Sequence, residues 1–194
     1  MVEKLAGNAT IPIINGLTDL HHPCQALADM LTIMEKKGRL KDINLVYIGD
    51  GNNVANSLIE AAAMMEMNLT VACPKGYEPD KKLYKKAVSL NPDIKIVSDP
   101  KEAAHDADVL YTDVWISMGQ EREVERRRTT FRKYQINKDL LSLAKPDAIV
   151  MHCLPAHRGE EISADVIDSP QSVIFDQAEN RLHSQKALLE MLIK

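Results

Sequence analysis

Aromatic residues are scarce in this chain, at 4% of its 194 residues. Stacking platforms for nucleic-acid bases are therefore few, and the core must be built from aliphatic side chains and methionine. Charge of a single sign is also lacking, because the formal net charge is only −4 with 27% charged residues. No global field is available to attract nucleic acid or an anionic membrane. Local groups would have to hold any anionic substrate.

Long apolar runs and a cysteine framework are missing too. No uncharged apolar run approaches the roughly 18–20 residues of a membrane span, and the N-terminus shows no apolar region of a secretory signal. The three cysteines, Cys24, Cys73 and Cys153, are odd in number and widely spaced. This pattern favours free thiols in a reducing cytoplasm over disulfides. We therefore expect a cytoplasmic globular protein that binds neither membrane nor nucleic acid.

Short runs rich in Val and Ile recur along the chain, with helix-like stretches between them. They are nearly continuous rather than alternating, which is typical of strands covered on both faces. The alternation predicts one α/β domain with a doubly wound, Rossmann-like parallel sheet and helices on both faces. The predicted strands are 43–49, 69–74, 93–98, 107–114, 148–155 and 172–178.

Two helices are predicted at the margins of this unit. The first begins near Pro23, which suits a first helical turn, and ends at Gly38. The last covers about 179–194 and carries leucines without an evident partner. The apolar stripe predicted for the first helix is Leu27, Met30, Leu31 and Met34.

A glycine-rich turn, GDGNNV at 49–54, follows the first predicted strand. Gly49 and Gly51 match the start of a dinucleotide fingerprint, but Val54 stands in the third glycine's place and no acidic residue follows the second strand. A tight turn with an asparagine cap explains the motif. A sharper version has Asn52 and Asn53 presenting amides to a small polar ligand. An NAD-binding dehydrogenase fragment stays a weaker alternative.

Two further segments carry histidine and cysteine. HHPCQ (21–25) is either an exposed helix start or a hydrogen-bonding pair of His22 and Gln25. A zinc site that combined it with HCLPAH (152–157) would have no recognised ligand spacing. Cys153 is either an inert buried thiol or part of a Cys–His dyad, although His152 is expected on the opposite face of the strand. Asp113 lies at the end of the neighbouring predicted strand. It is therefore a better candidate than His152 to contact the same group as Cys153.

The run QEREVERRRTTFRK (120–133) is dense in charges of both signs. A nucleic-acid patch would have one sign and interleaved aromatic residues, and this run has neither. We predict a solvated helix with ion pairs four residues apart, such as Glu123 with Arg127.

Several segments together resemble one family. HHPCQALAD, GDGNNVANS, DVWISMGQE, MHCLPAHRGEEI and AENRLHSQKALL occur in the order and approximate spacing of the ornithine carbamoyltransferases. HPCQ and HCLP resemble the carbamoyltransferase group as a whole, and D-x-W-x-S-M-G resembles the segment associated with ornithine. The resemblance implies transfer of a carbamoyl group from carbamoyl phosphate to L-ornithine, giving L-citrulline and phosphate. It implies no metal and no organic cofactor.

The resemblance also implies roles for individual residues. His22, Gln25, Cys153, Leu154 and Arg181 would hold carbamoyl phosphate. Asn53, Asp113, Ser117 and Met118 would hold ornithine, on a segment that closes over it. The implied catalytic residues are Cys153, Asp113, His22 and Arg181.

One part of the resembled family has no counterpart in this sequence. The S-T-R-T-R segment that grips phosphate is missing, so 1–22 resembles the remnant of a carbamoyl phosphate domain. Residues 23–194 resemble the ornithine-binding domain, with a last helix that would return to the missing domain. The family forms homotrimers largely through that domain, so we expect this chain to be monomeric and inactive alone. Alternatives are a carbamoyltransferase for putrescine or acetylornithine, and a non-catalytic amino-acid-binding module.

Overall fold

The computed structural model describes residues 2–116 and 123–193. Five strands form one parallel sheet in the order β3-β2-β1-β4-β5. This topology confirms the predicted doubly wound α/β fold. The strands are β1 (Asn44–Ile48), β2 (Asn68–Ala72), β3 (Ile94–Val97), β4 (Val109–Thr112) and β5 (Ile149–His152).

Helices cover both faces of the sheet, as the nearly continuous apolar strands predict. In β1, Leu45 and Tyr47 point to one apolar cluster, whereas Val46 and Ile48 point to the other. Within the described residues the helices are α1 (Val2–Ala6), α2 (Pro23–Lys37), α3 (Asn53–Met64), α4 (Lys81–Leu90), α5 (Pro100–Ala104), α6 (Val124–Phe131), α7 (Lys138–Leu141), α8 (Ala164–Ile167) and α9 (Ile174–Leu192), with a 3-10 turn at Arg132–Tyr134. None of these helices is long and apolar enough to cross a bilayer.

The sixth predicted strand, 172–178, is wrong. Ser172 makes a single bridge to Val150 of β5, and helix α9 begins two residues later at Ile174. The short apolar run resembles a strand locally, but Ile174 packs into the core as part of a helical turn. Helix α9 therefore begins earlier than the predicted residue 179.

Helix α2 begins at Pro23 and ends before Gly38, whose φ of 71° lies in the left-handed region, so both predicted ends are confirmed. Its predicted apolar stripe is confirmed at Met30, which is buried in the core, and wrong at Leu27 and Met34, which are 44% and 43% exposed. Eight α2 residues are buried, five apolar and three polar, and the polar ones (Gln25, Asp29 and Thr32) hydrogen-bond to α9. Helix α9 thus has a partner inside this chain, although Leu182 on its outer side is exposed.

The crevice of the fold lies where the strand order reverses. β1 pairs with β2 on one side and with β4 on the other, so the connections leave β1 and β4 in opposite directions. Open α/β sheets bind ligands at such a switch point, beyond the carboxyl ends of the strands.

Candidate active site

A cleft of about 1100 Å³ opens at this switch point. Loops that follow β1, β4 and β5 form its walls, together with the start of α2 and one side chain from α9. Six of the predicted site residues line it: His22, Asn53, Asp113, Cys153, Leu154 and Arg181. Gln25 lies behind the wall, and the predicted Ser117 and Met118 lie outside the described residues.

Asp113 is the centre of one wall. Its Oδ1 accepts from the Cys153 thiol at 3.0 Å and from the Val114 amide at 2.8 Å. Its Oδ2 accepts from Asn52 Nδ2 at 2.7 Å. The Asn52 contact crosses the switch point from the β1 loop to the β4 loop. Asp113, predicted as the partner of what Cys153 contacts, thus hydrogen-bonds to Cys153 itself.

The Cys153 thiol is held in its protonated form. Burial raises its pKa well above the usual value, and the negative charge of Asp113 raises it further. Because the thiolate is the nucleophilic form of cysteine, this environment opposes covalent catalysis. The neutral thiol donates to Asp113 and lines the cleft as a polarisable contact surface for a substrate.

His22 and Arg181 also line the cleft. Burial lowers the pKa of His22, and the Arg181 charge lowers it further, so the imidazole is neutral near pH 7. Arg181 Nη1 donates to Gln25 Oε1 at 2.7 Å, while its buried Nε has no partner among the described residues. His22 Nδ1 is likewise buried without a partner in the described part of the chain. Unpaired buried polar atoms at a cleft wall are suited to a polar ligand.

The GDGNNV segment forms the predicted asparagine-capped turn. Asn52 Oδ1 accepts from the Val54 and Ala55 amides at 3.0 and 3.2 Å, capping α3. Asn53 Nδ2 donates to the Thr18 carbonyl at 2.9 Å, so its amide partly ties the 17–19 loop to the cleft. The capping geometry follows from the preference for asparagine at this position.

Gly51 opposes the dinucleotide alternative. A Cβ built on Gly51 would lie 2.3 Å from Pro79 N and 2.6 Å from Tyr77 O. The glycine therefore allows the chain's own 77–79 segment to approach, on the side where a dinucleotide fingerprint admits a pyrophosphate.

The turn after β5 is held by a buried His–Glu pair. The Leu154 amide donates to His152 Nδ1 at 2.9 Å, so Nδ1 accepts and the Nε2 proton faces Glu161 Oε1 at 3.0 Å. Leu154 has a φ of 57°, which is uncommon for leucine and is typical of functional turns. His152, Cys153 and Asp113 lie close enough for a metal, but both His152 nitrogens are already engaged. The predicted separation of His152 and Cys153 on opposite faces is not confirmed, because a His152 ring nitrogen and Cys153 Sγ lie within 4.8 Å of one another.

Sequence reasoning missed a buried ion pair. Arg127, predicted on a solvated helix with Glu123, is 2% exposed and pairs with Asp50. Its Nε donates to the Trp115 carbonyl at 2.9 Å, and its guanidinium lies 5.0 Å from the Tyr77 ring centre. The solvated prediction is therefore wrong for Arg127, because tertiary contacts enclose one face of α6. The sequence signal for this pair was Asp50, an acidic residue between two glycines at the end of a strand.

Two groups of side chains that line the cleft differ in chemistry. One offers the acceptor Asp113 beside an apolar Leu154 and a neutral thiol, which suits a cationic or amine ligand. The other offers Arg181 and a neutral imidazole, which suits a carbonyl oxygen or an anion. Such a cleft can align an amine with a polarised carbonyl.

Comparison with known proteins agrees with this geometry. The family model described as Aspartate/ornithine carbamoyltransferase, Asp/Orn binding domain, matches residues 41–192. The ornithine carbamoyltransferase of Syntrophus aciditrophicus is 60% identical over the whole chain, which covers 64% of that protein. The solved ornithine carbamoyltransferase of Pyrococcus furiosus is 58% identical with a TM-score of 0.95; the match covers 99% of this chain and 63% of that one. That of Gloeobacter violaceus is 48% identical with a TM-score of 0.91, covering 100% and 66%.

The carbamoyl-P binding domain model of the same family matches residues 1–35. This corrects the view that the chain has only a remnant of that domain up to residue 22, because most of α2 falls within the match. The chain spans 62–65% of the length of the curated relatives it matches. From these matches, the chain belongs to the aspartate/ornithine carbamoyltransferase family.

Proposed function

We propose that this chain carries the ornithine side of carbamoyl transfer from carbamoyl phosphate to L-ornithine, giving L-citrulline and phosphate. The observation that carries the proposal is that the Cys153–Asp113–Asn52 cluster lines the same cleft as His22 and Arg181. Kinship with the ornithine carbamoyltransferases supports the choice of substrates.

The reaction requires a neutral amine, since the attacking nitrogen must offer a lone pair. An alkyl ammonium has a pKa of about 10.4, so the site must favour deprotonation. In our proposal the side-chain amine of ornithine lies beside Cys153 and Leu154, where the thiol is neutral and the leucine apolar. Desolvation there disfavours the ammonium form.

Asp113 decides which amine reacts. Its carboxylate binds the α-ammonium of ornithine, which stays charged and is thereby directed away from the donor. The amide of Asn53 and the segment that contains Ser117 and Met118 bind the amino-acid end in this proposal. Binding both ends orients the side-chain nitrogen toward the carbonyl carbon, which lowers the entropic part of the barrier.

His22, Gln25 and Arg181 act on the donor. As the amine nitrogen bonds to the carbonyl carbon, negative charge grows on the carbonyl oxygen, and Arg181 with neutral His22 stabilises it. The bond from carbon to the phosphate oxygen then breaks, phosphate leaves with the bonding pair, and the new ureido nitrogen loses one proton to the departing phosphate. These steps use side chains and substrates alone.

Isothermal titration of the 194-residue chain with L-ornithine, N-acetylornithine and putrescine tests the acceptor. We expect binding of L-ornithine and at least tenfold weaker binding of the other two, because each lacks a free α-ammonium or α-carboxylate. Asp113→Asn should abolish the preference over N-acetylornithine, because Asp113 binds the α-ammonium. Preferential binding of putrescine or acetylornithine would favour a sibling transferase instead.

Citrulline formation from both substrates tests the reaction. We expect the chain to turn over far more slowly than a complete relative, because its sequence contains no S-T-R-T-R segment to grip phosphate. Turnover near that of a complete relative would contradict this expectation. Ornithine binding without turnover, even when a carbamoyl-P binding domain is supplied, would favour a non-catalytic amino-acid-binding module.

We also propose that the chain is cytoplasmic and monomeric at micromolar concentration. Its three cysteines are free thiols, which supports a reducing compartment. Light scattering after size exclusion tests the monomer, and a trimer mass would overturn it.

A further inference from the structure

A buried carboxylate lies behind the cleft, and no step of the proposed reaction uses it. Asp29, in the second turn of α2, is 0% exposed. Its Oδ1 accepts from Gln25 Nε2 at 2.9 Å and from Gln177 Nε2 at 2.7 Å. Its Oδ2 accepts from the Tyr111 hydroxyl at 3.1 Å. Side chains from α2, α9 and β4 therefore converge on one carboxylate.

The carboxylate dictates how the Gln25 amide is turned. An ionised carboxylate offers only acceptor oxygens, so the NH2 group of Gln25 faces Asp29. The amide oxygen then faces away from Asp29 and accepts from Arg181 Nη1 at 2.7 Å. A reversed amide would oppose donor to donor at Arg181 and acceptor to acceptor at Asp29. The orientation that serves Arg181 is thus set by Asp29.

Gln177 connects Asp29 to the turn after β5 in the same way. Its NH2 group donates to Asp29, and its Oε1 accepts from the His152 backbone amide at 2.8 Å. His152 is the last residue of β5 and immediately precedes Cys153. One carboxylate is therefore connected both to the Arg181 guanidinium and to the Cys153 turn.

Asp29 does not act as a stabilising group. Burial raises its pKa to about 7, although the three donors and the charge of Arg181 act in the opposite direction. An ionised side chain at this place costs folding free energy that an apolar side chain of similar size would not. A costly buried charge at the back of a cleft is typical of a functional constraint.

We propose that Asp29 is a positioning residue, which orients the Gln25 and Gln177 amides and so holds Arg181 and the Cys153 turn toward the substrates. The effect of this positioning on carbamoyl transfer rests on the proposed function. The orientation itself does not, and it can be measured without turnover.

Side-chain nitrogen-15 spectra of the 194-residue chain at pH 7.5 test the orientation. The probes are the guanidinium protons of Arg181 and the NH2 protons of Gln25, assigned by their loss in Arg181→Lys and Gln25→Leu. We expect Asp29→Leu to speed hydrogen exchange of the Arg181 guanidinium at least tenfold. Asp29→Asn should restore slow exchange, because asparagine keeps an acceptor oxygen where the two amides meet.

Asp108→Asn is the matched control. Asp108 is also buried and accepts from the Asn44 amide at 2.9 Å and from Lys145 at 2.8 Å, but it precedes β4 at the far end of the sheet. It should leave the Arg181 signals unchanged. Slow Arg181 exchange in folded Asp29→Leu would overturn the proposal. If that variant does not fold, Gln25→Leu must release Arg181 equally, and unchanged exchange there would overturn it too.

Ornithine titration of the same variants separates the two proposals. Asp29 contacts neither Asn52 nor Asp113, so Asp29→Asn should bind ornithine within about twofold of the unchanged chain. If the unchanged chain does not bind ornithine, the proposed function fails while the orientation result stands. In a turnover assay with a carbamoyl-P binding domain supplied, Asp29→Leu should lower kcat, because Arg181 is no longer held toward the donor.

Discussion

The ion pair of Asp50 and Arg127 anchors the ornithine side of the cleft at the level of single residues. Arg127 joins three places that are distant in sequence: the β1 loop through Asp50, the β4 loop through the Trp115 carbonyl, and the Tyr77 ring. Both charges are almost fully withdrawn from solvent. Breaking such a pair costs far more than an exposed pair contributes, because the remaining charge stays buried.

Arg127→Met should therefore lower the free energy of unfolding by about 3–5 kcal/mol. Urea denaturation followed by circular dichroism measures the change. Arg128→Met is the control, because Arg128 is the next residue on the same helix and pairs with Glu160 in an exposed position. We expect little change there. Equal losses in the two variants would show that the buried pair has no special role.

Cys153 should react slowly with iodoacetamide at neutral pH. Its raised pKa keeps the thiolate fraction low, so the rate should still rise with pH above the usual thiol pKa. Asp113→Asn should speed the reaction at pH 8, because removing the negative charge lowers the pKa of Cys153. Mass spectrometry of the labelled peptides gives the rates, with buried Cys24 and Cys73 as internal controls. A rate that levels off near pH 7 would contradict the assignment.

At the scale of elements, helix α3 depends on a cap that also serves the cleft. Asn52 closes the start of the helix with its side-chain oxygen and holds Asp113 with its side-chain nitrogen. One amide thus performs a local and a tertiary function. The local function follows from the sequence, whereas the tertiary function requires the position of β4.

Asn52→Ala should destabilise the protein by more than the roughly 1 kcal/mol of a lost cap, because Asp113 also loses a donor. Asp80→Ala is the matched control, since Asp80 caps α4 in the same way through the Lys82 and Leu83 amides. Thermal unfolding compares the two. Ornithine binding should weaken only in Asn52→Ala, and equal binding in both variants would argue against the Asn52–Asp113 contact.

Across the whole molecule, α2 and α9 meet through polar side chains at the back of the sheet. Thr32 and Glu35 of α2 both accept from Asn180, and Asp29 accepts from Gln177. This interface ties residues near the two ends of the chain to one another. Burying the Asp29 carboxylate in this interface costs folding free energy, and this cost makes global stability depend on pH.

Asp29 should make the chain less stable as pH rises. Its pKa is about 7 in the folded state and near 3.8 when unfolded, so between these values the folded state binds the extra proton. The contribution of protonated Asp29 to the free energy of unfolding is fully present below pH 3.8, and it is lost as the pH rises to about 7. The charged or titratable groups that face Asp29 are Arg181, Tyr111 and Cys153.

The comparison with Asp29→Asn isolates this effect. Because asparagine does not titrate, the unchanged chain should lose about 2–3 kcal/mol relative to the variant between pH 5 and pH 7, at about 1.4 kcal/mol per pH unit. Urea denaturation at both pH values measures the difference. A difference that stayed constant with pH would mean that Asp29 is ionised throughout.

Local sequence patterns account for the repeated strand–helix order, the ends of α2 and the asparagine cap. Each of these depends on local chemistry: apolar runs of strand length, proline at a first turn, glycine at a left-handed end, and an amide at a helix start. The sequence also placed Asp113 beside Cys153, because neighbouring parallel strands end at the same edge of a sheet. The local pattern gave a wrong prediction where tertiary packing opposed it, as at 172–178, which was predicted as a strand but contains the start of α9.

The burial of particular polar side chains depends on contacts between distant parts of the fold. Arg127 stands in an exposed-looking charge run, and Asp29 and Gln177 stand 148 residues apart. Nothing local distinguishes these residues from solvated ones, because their burial depends on elements that meet through the sheet. Leu27 and Met34 are exposed for the same reason, since the face of α2 toward α9 is shaped by hydrogen bonds. Burial of a polar group is favourable only where distant partners satisfy it, so the fold had to place those partners.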